Sequence, residues 1–474
     1  MPRVRPSLTW IDEQLGAGIE SAVRSHHRRR LRAAGWERAL DPGAGLWCEG
    51  DPPPRRGCRV EVLVDGDEAL ARIADELRGA RSDVLLAGWH FDPAFRLERD
   101  GPPLRELLAG LDAEVRLLMW AGAPLPLFRP SRSDVRETSL AFERGTRIRC
   151  ALDSRERPLH CHHEKAIVVD GHVAFVGGID LTALAGNRLD AQQHPPRGTI
   201  GWHDVATRLE GPIVGDVFDH LRLRWHEVTG ERLAAIDVPA AGETEAQLVR
   251  TVPEQVYDGL PRGDFRILEA YTRALRSAER LIYLESQFLW SPEIAEILAA
   301  KLRSPPADDF RVVVLLPSKP NSGNDDSKGQ VAVLVDADGG AGRFLACTLY
   351  QHGLGDPVYV HAKVGIVDDR WLTIGSANLN DHSLFNDSEL NVVTCDPRLA
   401  RETRLRLWAE HLEREDVDGE RHDVVDRIWK PLAEEGRERR GRGEPLTHRL
   451  ARLPHVSSRS RRLLGPIQSL LVDG

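Results

Sequence analysis

The residues best suited to chemistry occur in one pattern, His-x-Lys-x4-Asp, which the chain contains twice. Its members are His163, Lys165 and Asp170 in the first copy and His361, Lys363 and Asp368 in the second. A histidine can attack phosphorus or protonate a leaving oxygen, and a lysine can neutralise the charge of a phosphate. Two such pairs meeting at one point would form a pocket for phosphoryl transfer.

Chance does not account for the repetition. Only 6 of the 64 basic residues are lysines, and two of these six lie in the pattern. At such frequencies a shuffled chain is expected to hold roughly 0.02 copies. The two copies, with their histidines 198 residues apart, therefore indicate a duplicated half-site.

A short buried strand is predicted directly after each His and Lys pair, at 166–169 and 364–367, because both runs are apolar. Residues two apart point to the same face, so each His and Lys address one site. We interpret the two histidines and two lysines as the catalytic residues. Because side chains alternate between the two faces of a strand, the two aspartates are expected on the face opposite the histidines. We therefore interpret them as structural supports.

A glycine-containing turn follows each motif, and the two turns differ. Ser376 and Asn378 of the second turn are predicted to bind phosphate through a hydroxyl and a neutral amide. Gly178 and Asp180 occupy the equivalent positions of the first turn. The Asp180 carboxylate would repel phosphate, so we expect it to orient a neighbouring group.

The elements that must position these residues alternate between strands and helices. The predicted strands are at 59–64, 83–91, 114–120 and 146–151 in the first half and at 280–288 and 310–316 in the second. The predicted helices are at 68–80, 104–111, 265–277 and 292–303. This alternation predicts two mixed α/β sheets with helices outside.

Four segments are predicted. A chain of 474 residues is too long for one hydrophobic core, and the stretch at 236–245, rich in Ala, Pro, Gly and Glu, indicates a domain boundary near residue 245. The four segments are a basic N-terminal helical extension at 1–57, two similar domains at 58–245 and 246–415, and a charged C-terminal extension at 416–474.

Charge and hydropathy exclude several classes of function. The net charge of −9 disfavours a nucleic-acid packaging role, and there is no apolar run long enough to span a membrane. The first residues lack the features of a secretory signal, so we expect a cytoplasmic protein. For the basic helix predicted within 14–40 we favour a packed helix with a solvated face, and peripheral contact with an anionic membrane is the alternative.

Several further segments extend the similarity to a known family. They are Gly-Gly-Ile-Asp-Leu at 177–181, Asn-Arg-Leu-Asp at 187–190, Trp-His-Asp at 202–204 and Tyr-Leu-Glu-Ser-Gln at 283–287. With the duplicated motif, they resemble the phospholipase D superfamily over roughly residues 58 to 410, and true phospholipases D more than small single-motif nucleases. The resemblance implies an α/β fold of two pseudo-twofold-related α/β/α domains with the active site at their interface. It also implies metal-independent catalysis with His163 as nucleophile and His361 as general acid/base.

Each catalytic histidine needs a hydrogen-bond partner on its other ring nitrogen, which fixes the tautomer. Glu389 lies 28 residues after His361 and resembles the acidic residue that the family uses for support. Asp204, in Trp-His-Asp, is our candidate partner for His163. Glu285 and Gln287 are expected to stiffen the pocket.

The most favoured function is a phospholipase D-type phosphodiesterase that acts on a phospholipid through a phosphohistidine, with water or an alcohol as acceptor. A cardiolipin-synthase-like phosphatidyltransferase, a nuclease or another phosphodiesterase are the alternatives, with nucleic acid not the first choice. A non-catalytic relative is disfavoured by the intact motifs. We expect no cofactor. A zinc site in His-Cys-His-His at 160–163 is disfavoured because its spacing is compressed and no second cluster follows. Headgroup, acyl preference and oligomeric state are not predicted.

Overall fold

Two halves that repeat one order of strands make up the fold. The computed structural model describes residues 8–124, 129–157, 160–182, 201–319, 324–353, 355–454 and 456. The strands of the first half are β1 (Arg55–Val64), β2 (Asp83–Gly88), β3 (Glu114–Trp120), β4 (Arg149–Asp153), β5 (Ala166–Val169), β6 (Val173–Gly177), β7 (Gly201–His203) and β8 (Val205–Glu210). Those of the second half are β9 (Thr244–Val252), β10 (Asp264–Phe265), β11 (Leu281–Glu285), β12 (Arg311–Leu315), β13 (Phe344–Tyr350), β14 (Pro357–Val360), β15 (Val364–Val367), β16 (Trp371–Gly375), β17 (Glu389–Thr394) and β18 (Leu450–Arg452).

Helices cover the sheets and fill the connections. They are α1 (Leu8–Ala34), α2 (Glu37–Leu40), α3 (Asp65–Gly79), α4 (Leu104–Ala109), α5 (Arg132–Glu143), α6 (Ile213–Thr229), α7 (Arg266–Ser277), α8 (Pro292–Arg303), α9 (Asn324–Asp338), α10 (Pro397–Leu412), α11 (Arg421–Val424) and α12 (Lys430–Arg442). Two π-helical turns occur at His382–Asn386 and Val425–Trp429. No helix within these described ranges has the length and apolar character needed to cross a bilayer.

Strand order is the same in the two sheets. The first runs β4-β3-β2-β5-β6-β8-β1, and the second runs β13-β12-β11-β15-β16-β17-β9. In each sheet the first three strands are parallel and the following pairings are antiparallel. The sheets join where β1 pairs with β9. The predicted α/β fold of two related halves with mixed sheets is therefore confirmed, while the four segment boundaries stay predictions.

The motif strands β5 and β15 lie inside the sheets, as their apolar sequences predict. Every residue of β5 and of β15 is buried. Amphipathic helices supply the apolar cover; in α3, for example, Leu70, Ile73 and Leu77 are buried against the first sheet. The strands are thus held on both faces, and so are the short segments that carry the histidines and lysines.

The motif aspartates tie each motif strand to its neighbour. Asp368 accepts hydrogen bonds from the backbone N–H groups of Glu279, Arg280 and Leu281 at 2.7–2.8 Å. Asp170 accepts the equivalent three bonds from residues 81–83 at 2.8–3.0 Å. Both aspartates have positive φ, of 51° and 54°, which Asp tolerates better than most residues. These contacts fit the role of structural supports that the sequence indicated for both aspartates.

Both extensions pack on the second half. In α1, Arg24 donates to Glu293 and Arg30 to Glu254, at 3.1 and 2.9 Å. This agrees with the packed helix that the sequence favoured, and membrane contact stays a prediction. At the other end, Trp429 is fully buried against Trp408, and β18 pairs with β13. Residues 457–474, including the apolar end of the tail, lie outside the described residues.

We expect Asp368→Asn to lower the free energy of unfolding by about 2 kcal/mol, because one amide oxygen replaces a buried carboxylate that accepts three backbone N–H groups. Urea denaturation monitored by circular dichroism would measure the change. Asn also tolerates positive φ, so backbone strain does not contribute. Exposed Asp112→Asn is the matched control, and equal stability of the two variants would contradict the assignment.

Candidate active site

The two His and Lys pairs lie on short segments just before β5 and β15, and each segment is clamped by the other half. The backbone N–H groups of His163 and Glu164 both donate to the carbonyl of Ser388 at 2.9 Å. Those of His361 and Ala362 donate to the carbonyl of His203 at 2.8 and 3.2 Å. The backbone of each motif is therefore fixed across the boundary between the halves.

The carboxylates that hold the imidazole rings also cross between the halves. His163 Nδ1 lies 3.0 Å from Glu389 Oε1, and His361 Nδ1 lies 2.7 Å from Asp204 Oδ2. The assignment of Asp204 to His163 was therefore wrong. Asp204 belongs to the first half and reaches the second-half histidine, because residues 203–204 and 388–389 each clamp the opposite motif. In both rings Nε2 is left as the nitrogen available to a substrate.

Lys165 and Lys363 adopt equivalent positions beside their histidines. Lys165 Nζ donates to the His163 carbonyl at 2.6 Å, and Lys363 Nζ donates to the His361 carbonyl. Each has a further partner at the pocket: Asp180 at 3.2 Å for Lys165, and Gln287 at 3.4 Å for Lys363. The predicted orienting role of Asp180 fits its contact with Lys165.

Asn378 and Ser376 differ in what they offer a ligand. The Asn378 amide donates to Gln287 Oε1 at 3.3 Å, which links it to Lys363. The Ser376 hydroxyl instead donates to Glu389 Oε2 and accepts from the Leu390 N–H. In this geometry Ser376 orients the carboxylate that holds His163, whereas Asn378 is directed to the lysine side of the pocket.

Space explains why glycine stands opposite Ser376 in the first half. A Cβ at Gly178 would lie 2.1 Å from Asp204 Oδ1. The short Asp204 side chain holds its carboxylate close to the turn and leaves no room there for a Cβ atom, so glycine fits. Ser383 also donates to Glu389 Oε1, at 2.6 Å, and the sequence reasoning missed this residue.

Two buried glutamates lie next to the motif residues, Glu285 opposite Val364 in the sheet and Glu164 within the first motif. Glu285 accepts hydrogen bonds from the rings of His203 and His411 at 2.8 and 3.0 Å, and from the Tyr283 hydroxyl. This fits the predicted stiffening role of Glu285. Sequence reasoning missed Glu164, which binds His220 at 2.8 Å and Arg224. The sequence could have indicated Glu164, because this charged residue lies between His163 and Lys165 of the first motif.

Burial sets the charge of the second motif. It lowers the pKa of His361 to about 3, aided by Lys363, and the Asp204 carboxylate offsets only part of this effect. Burial also lowers the pKa of Lys363 to about 8, and Lys165 contributes in the same direction. At neutral pH the ring of His361 is therefore neutral, while Lys363 is mostly charged. Lys165 of the first motif contributes to the lowered pKa of both His361 and Lys363, which agrees with a position of Lys165 close to the second motif.

Comparisons with known proteins find sequence similarity to phospholipase D-like proteins. Residues 271–409 match the family model described as "Cardiolipin synthase, PLD-like domain". Phospholipase D A of Dictyostelium discoideum is 24% identical over 76% of this chain and 36% of its own length. Phospholipase D alpha 4 of Arabidopsis thaliana is 25% identical over 80% of this chain and 70% of its own length. Phospholipase D2 of Bos taurus is 24% identical over 73% of this chain and 50% of its own length. The matches therefore cover between 36% and 70% of the length of these relatives.

A solved structure shares the fold at low sequence identity. It is a phosphatidylserine synthase from Haemophilus influenzae Rd KW20, with a TM-score of 0.54 and 12% identity. The match covers 87% of this chain and 98% of that one.

The segment at 187–190, which was part of the sequence resemblance, lies outside the described residues.

We expect affinity for inorganic phosphate to fall as pH rises through about 8, because Lys363 loses its proton there and one positive charge leaves the pocket. Isothermal titration calorimetry between pH 6.5 and 9.5 would measure it. Lys363→Arg keeps its charge throughout, so the loss should be absent in that variant, and the comparison cancels the titration of phosphate itself. Parallel pH profiles for the two proteins would contradict the assignment.

Proposed function

The chain belongs to the phospholipase D superfamily, and on that premise we propose that it is a phosphodiesterase that transfers the phosphatidyl group of a phospholipid to water or an alcohol. The observation that carries the proposal is the pair of crossed contacts, His163 with Glu389 and His361 with Asp204. They present two oriented imidazole rings to a pocket that also holds two lysines. One ring can attack phosphorus while the other handles the proton of the leaving group.

In the proposed mechanism His163 Nε2 attacks phosphorus, and the bond between phosphorus and the headgroup oxygen breaks. His361 Nε2 donates a proton to that oxygen, which leaves a phosphohistidine and a neutral His361. The same ring then takes a proton from water or an alcohol, whose oxygen attacks phosphorus and releases His163. The acid and base roles of His361 thus follow from microscopic reversibility.

The negative charge of the substrate allows His361 to take up from solvent the proton that the first step needs. His361 is neutral in the empty site because burial lowers its pKa. A phosphodiester anion beside the ring favours the imidazolium form and raises that pKa, so proton uptake is coupled to substrate binding. Lys165 and Lys363 neutralise the charge on the phosphoryl oxygens, and the Asn378 amide can donate to one of them.

A phospholipid is the favoured substrate because the curated relatives are phospholipases D and the structural relative is a phosphatidylserine synthase. Transfer between lipids is a second candidate, favoured by the cardiolipin synthase family model over 271–409. Both candidates use the same phosphohistidine and differ only in the acceptor. A net charge of −9 gives no support to nucleic acid.

We expect the purified protein to release headgroup from mixed phospholipid vesicles in the presence of a chelator, because the pocket lysines supply the positive charge. His163→Ala should lower the rate by at least about 10³-fold, since it removes the nucleophile. His172→Ala is the matched control, as this exposed histidine lies in the turn after the same motif. Inert vesicles together with salt-sensitive cleavage of DNA would contradict the lipid assignment. Full activity of His163→Ala would contradict the mechanism.

The crossed contacts allow the two steps to be separated with a phosphatidyl p-nitrophenol substrate, whose leaving group needs no acid. Asp204→Asn impairs His361, so we expect a burst of one equivalent of p-nitrophenol followed by turnover about 10²-fold or more below wild type. Glu389→Gln impairs His163 and should slow release without a burst. Stopped-flow absorbance would measure both. A burst in Glu389→Gln alone would assign the nucleophile to His361 instead.

A further inference from the structure

Three potential metal ligands from distant parts of the chain meet beside the catalytic pocket. His160 Nδ1 lies 3.0 Å from His382 Nδ1 and 3.5 Å from Asp387 Oδ1. All three ligand atoms lie within 4.8 Å of one another. We propose that His160, His382 and Asp387 bind a Zn²⁺-class transition-metal ion that joins the two halves and takes no part in phosphoryl transfer.

The separations suit a four-coordinate ion. Zn²⁺ binds imidazole nitrogen and carboxylate oxygen at about 2.0–2.2 Å in a tetrahedron, which places neighbouring ligand atoms about 3.3 Å apart. The two measured separations, 3.0 and 3.5 Å, bracket that value. Two imidazoles and one carboxylate suit Zn²⁺ and its neighbours in the first transition series, and water can fill the fourth position.

The ligands are held in place without the ion. Asp387 is buried, and its Oδ1 accepts the N–H of Cys161, the residue after His160, at 2.9 Å. His382 begins the π-helical turn at His382–Asn386, and such turns are frequent at functional sites. The ring of His382 also packs against Trp290. Both sides of the cluster are therefore anchored before any ion binds.

Access and charge also permit binding. The side chain of His160 is 18% exposed, which leaves a path from solvent. Two nearby cations, Arg30 and Arg157, both bind the Glu254 carboxylate, at 2.9 and 3.1 Å, so their repulsion of an incoming cation is reduced. The Asp387 carboxylate supplies the compensating negative charge within the cluster itself.

Among the described residues, two other groups of potential metal ligands have similar distances between their ligand atoms, but we propose no metal ion there. One is His203 with Glu285 and His411, and the other is His203 with Asp65 and Glu410. The side chains of His203, Glu285 and His411 have no exposed surface, and hydrogen bonds among them account for their positions. The cluster at His160 differs because it reaches the surface.

The proposed ion would act on the pocket through the chain. Asp387 precedes Ser388, whose carbonyl clamps the His163 segment, and Glu389, which holds the His163 ring. An ion at Asp387 would therefore hold residues 387–389 against residues 160–163. We expect it to stabilise this contact and not to be needed for turnover.

The test is titration of the chelator-treated full chain with Co²⁺ alone, whose visible absorption reports four-coordinate binding. We expect one equivalent to bind, Zn²⁺ to displace it, and the melting temperature to rise with Zn²⁺ concentration. His160→Ala and His382→Ala should each weaken Co²⁺ binding by at least about 10-fold. His352→Ala is the matched control, because this exposed histidine pairs with Glu413 far from the cluster and should bind Co²⁺ as wild type does.

A protein that binds no Co²⁺, or binds it equally well in both ligand variants, would overturn the proposal and leave a hydrogen bond between the two imidazoles as the explanation. The readout is independent of lipid hydrolysis, so failure of the proposed enzymatic function would not affect it. In metal-free buffer His160→Ala should keep its headgroup-release rate within about 2-fold of wild type. Circular dichroism would show that each variant is folded.

Discussion

The two carboxylates that cross between the halves are the interaction on which the site depends. His163 is oriented by Glu389, and His361 by Asp204, so neither half holds its own histidine. These groups are buried, and leaving a buried hydrogen-bonding group without its partner typically costs about 1–3 kcal/mol, and more for a carboxylate. The backbone clamps from the carbonyls of Ser388 and His203 run across the same boundary. Docking of the halves and assembly of the site are thus one event.

The near symmetry of these contacts makes the remaining differences informative. Asp204 is one methylene shorter than Glu389, and its carboxylate lies where a side chain at 178 would be, so that turn contains glycine. On the other side the longer glutamate leaves room for Ser376, whose hydroxyl then holds it. Lys165 faces the Asp180 carboxylate, whereas Lys363 shares Gln287 with the Asn378 amide. The lysines therefore have different electrostatic surroundings.

Local sequence was sufficient for the motifs, for the strands β1–β5, β11, β12 and β15, and for the supporting aspartates, because these depend on short-range periodicity and spacing. It did not predict β8, β9, β13 or β17. It was insufficient for the partner of each histidine. Which carboxylate reaches which ring depends on how the two halves face each other, and local sequence does not contain that information. The same reason hid the contact between His160 and His382, which are 222 residues apart. Helices α5 and α6 were not predicted, although α6 supplies both partners of Glu164.

The buried glutamates Glu164 and Glu285 differ in where their compensating charges come from. Glu164 lies between the motif residues, where the second half has Ala362, and its partners His220 and Arg224 both belong to the first half. Glu285 instead draws one of its two histidines, His203, from the first half. During synthesis the partners of Glu164 are therefore available within the first half alone, whereas Glu285 needs a residue that has already left the ribosome. The order of the halves along the chain thus makes His203 available before Glu285 is made.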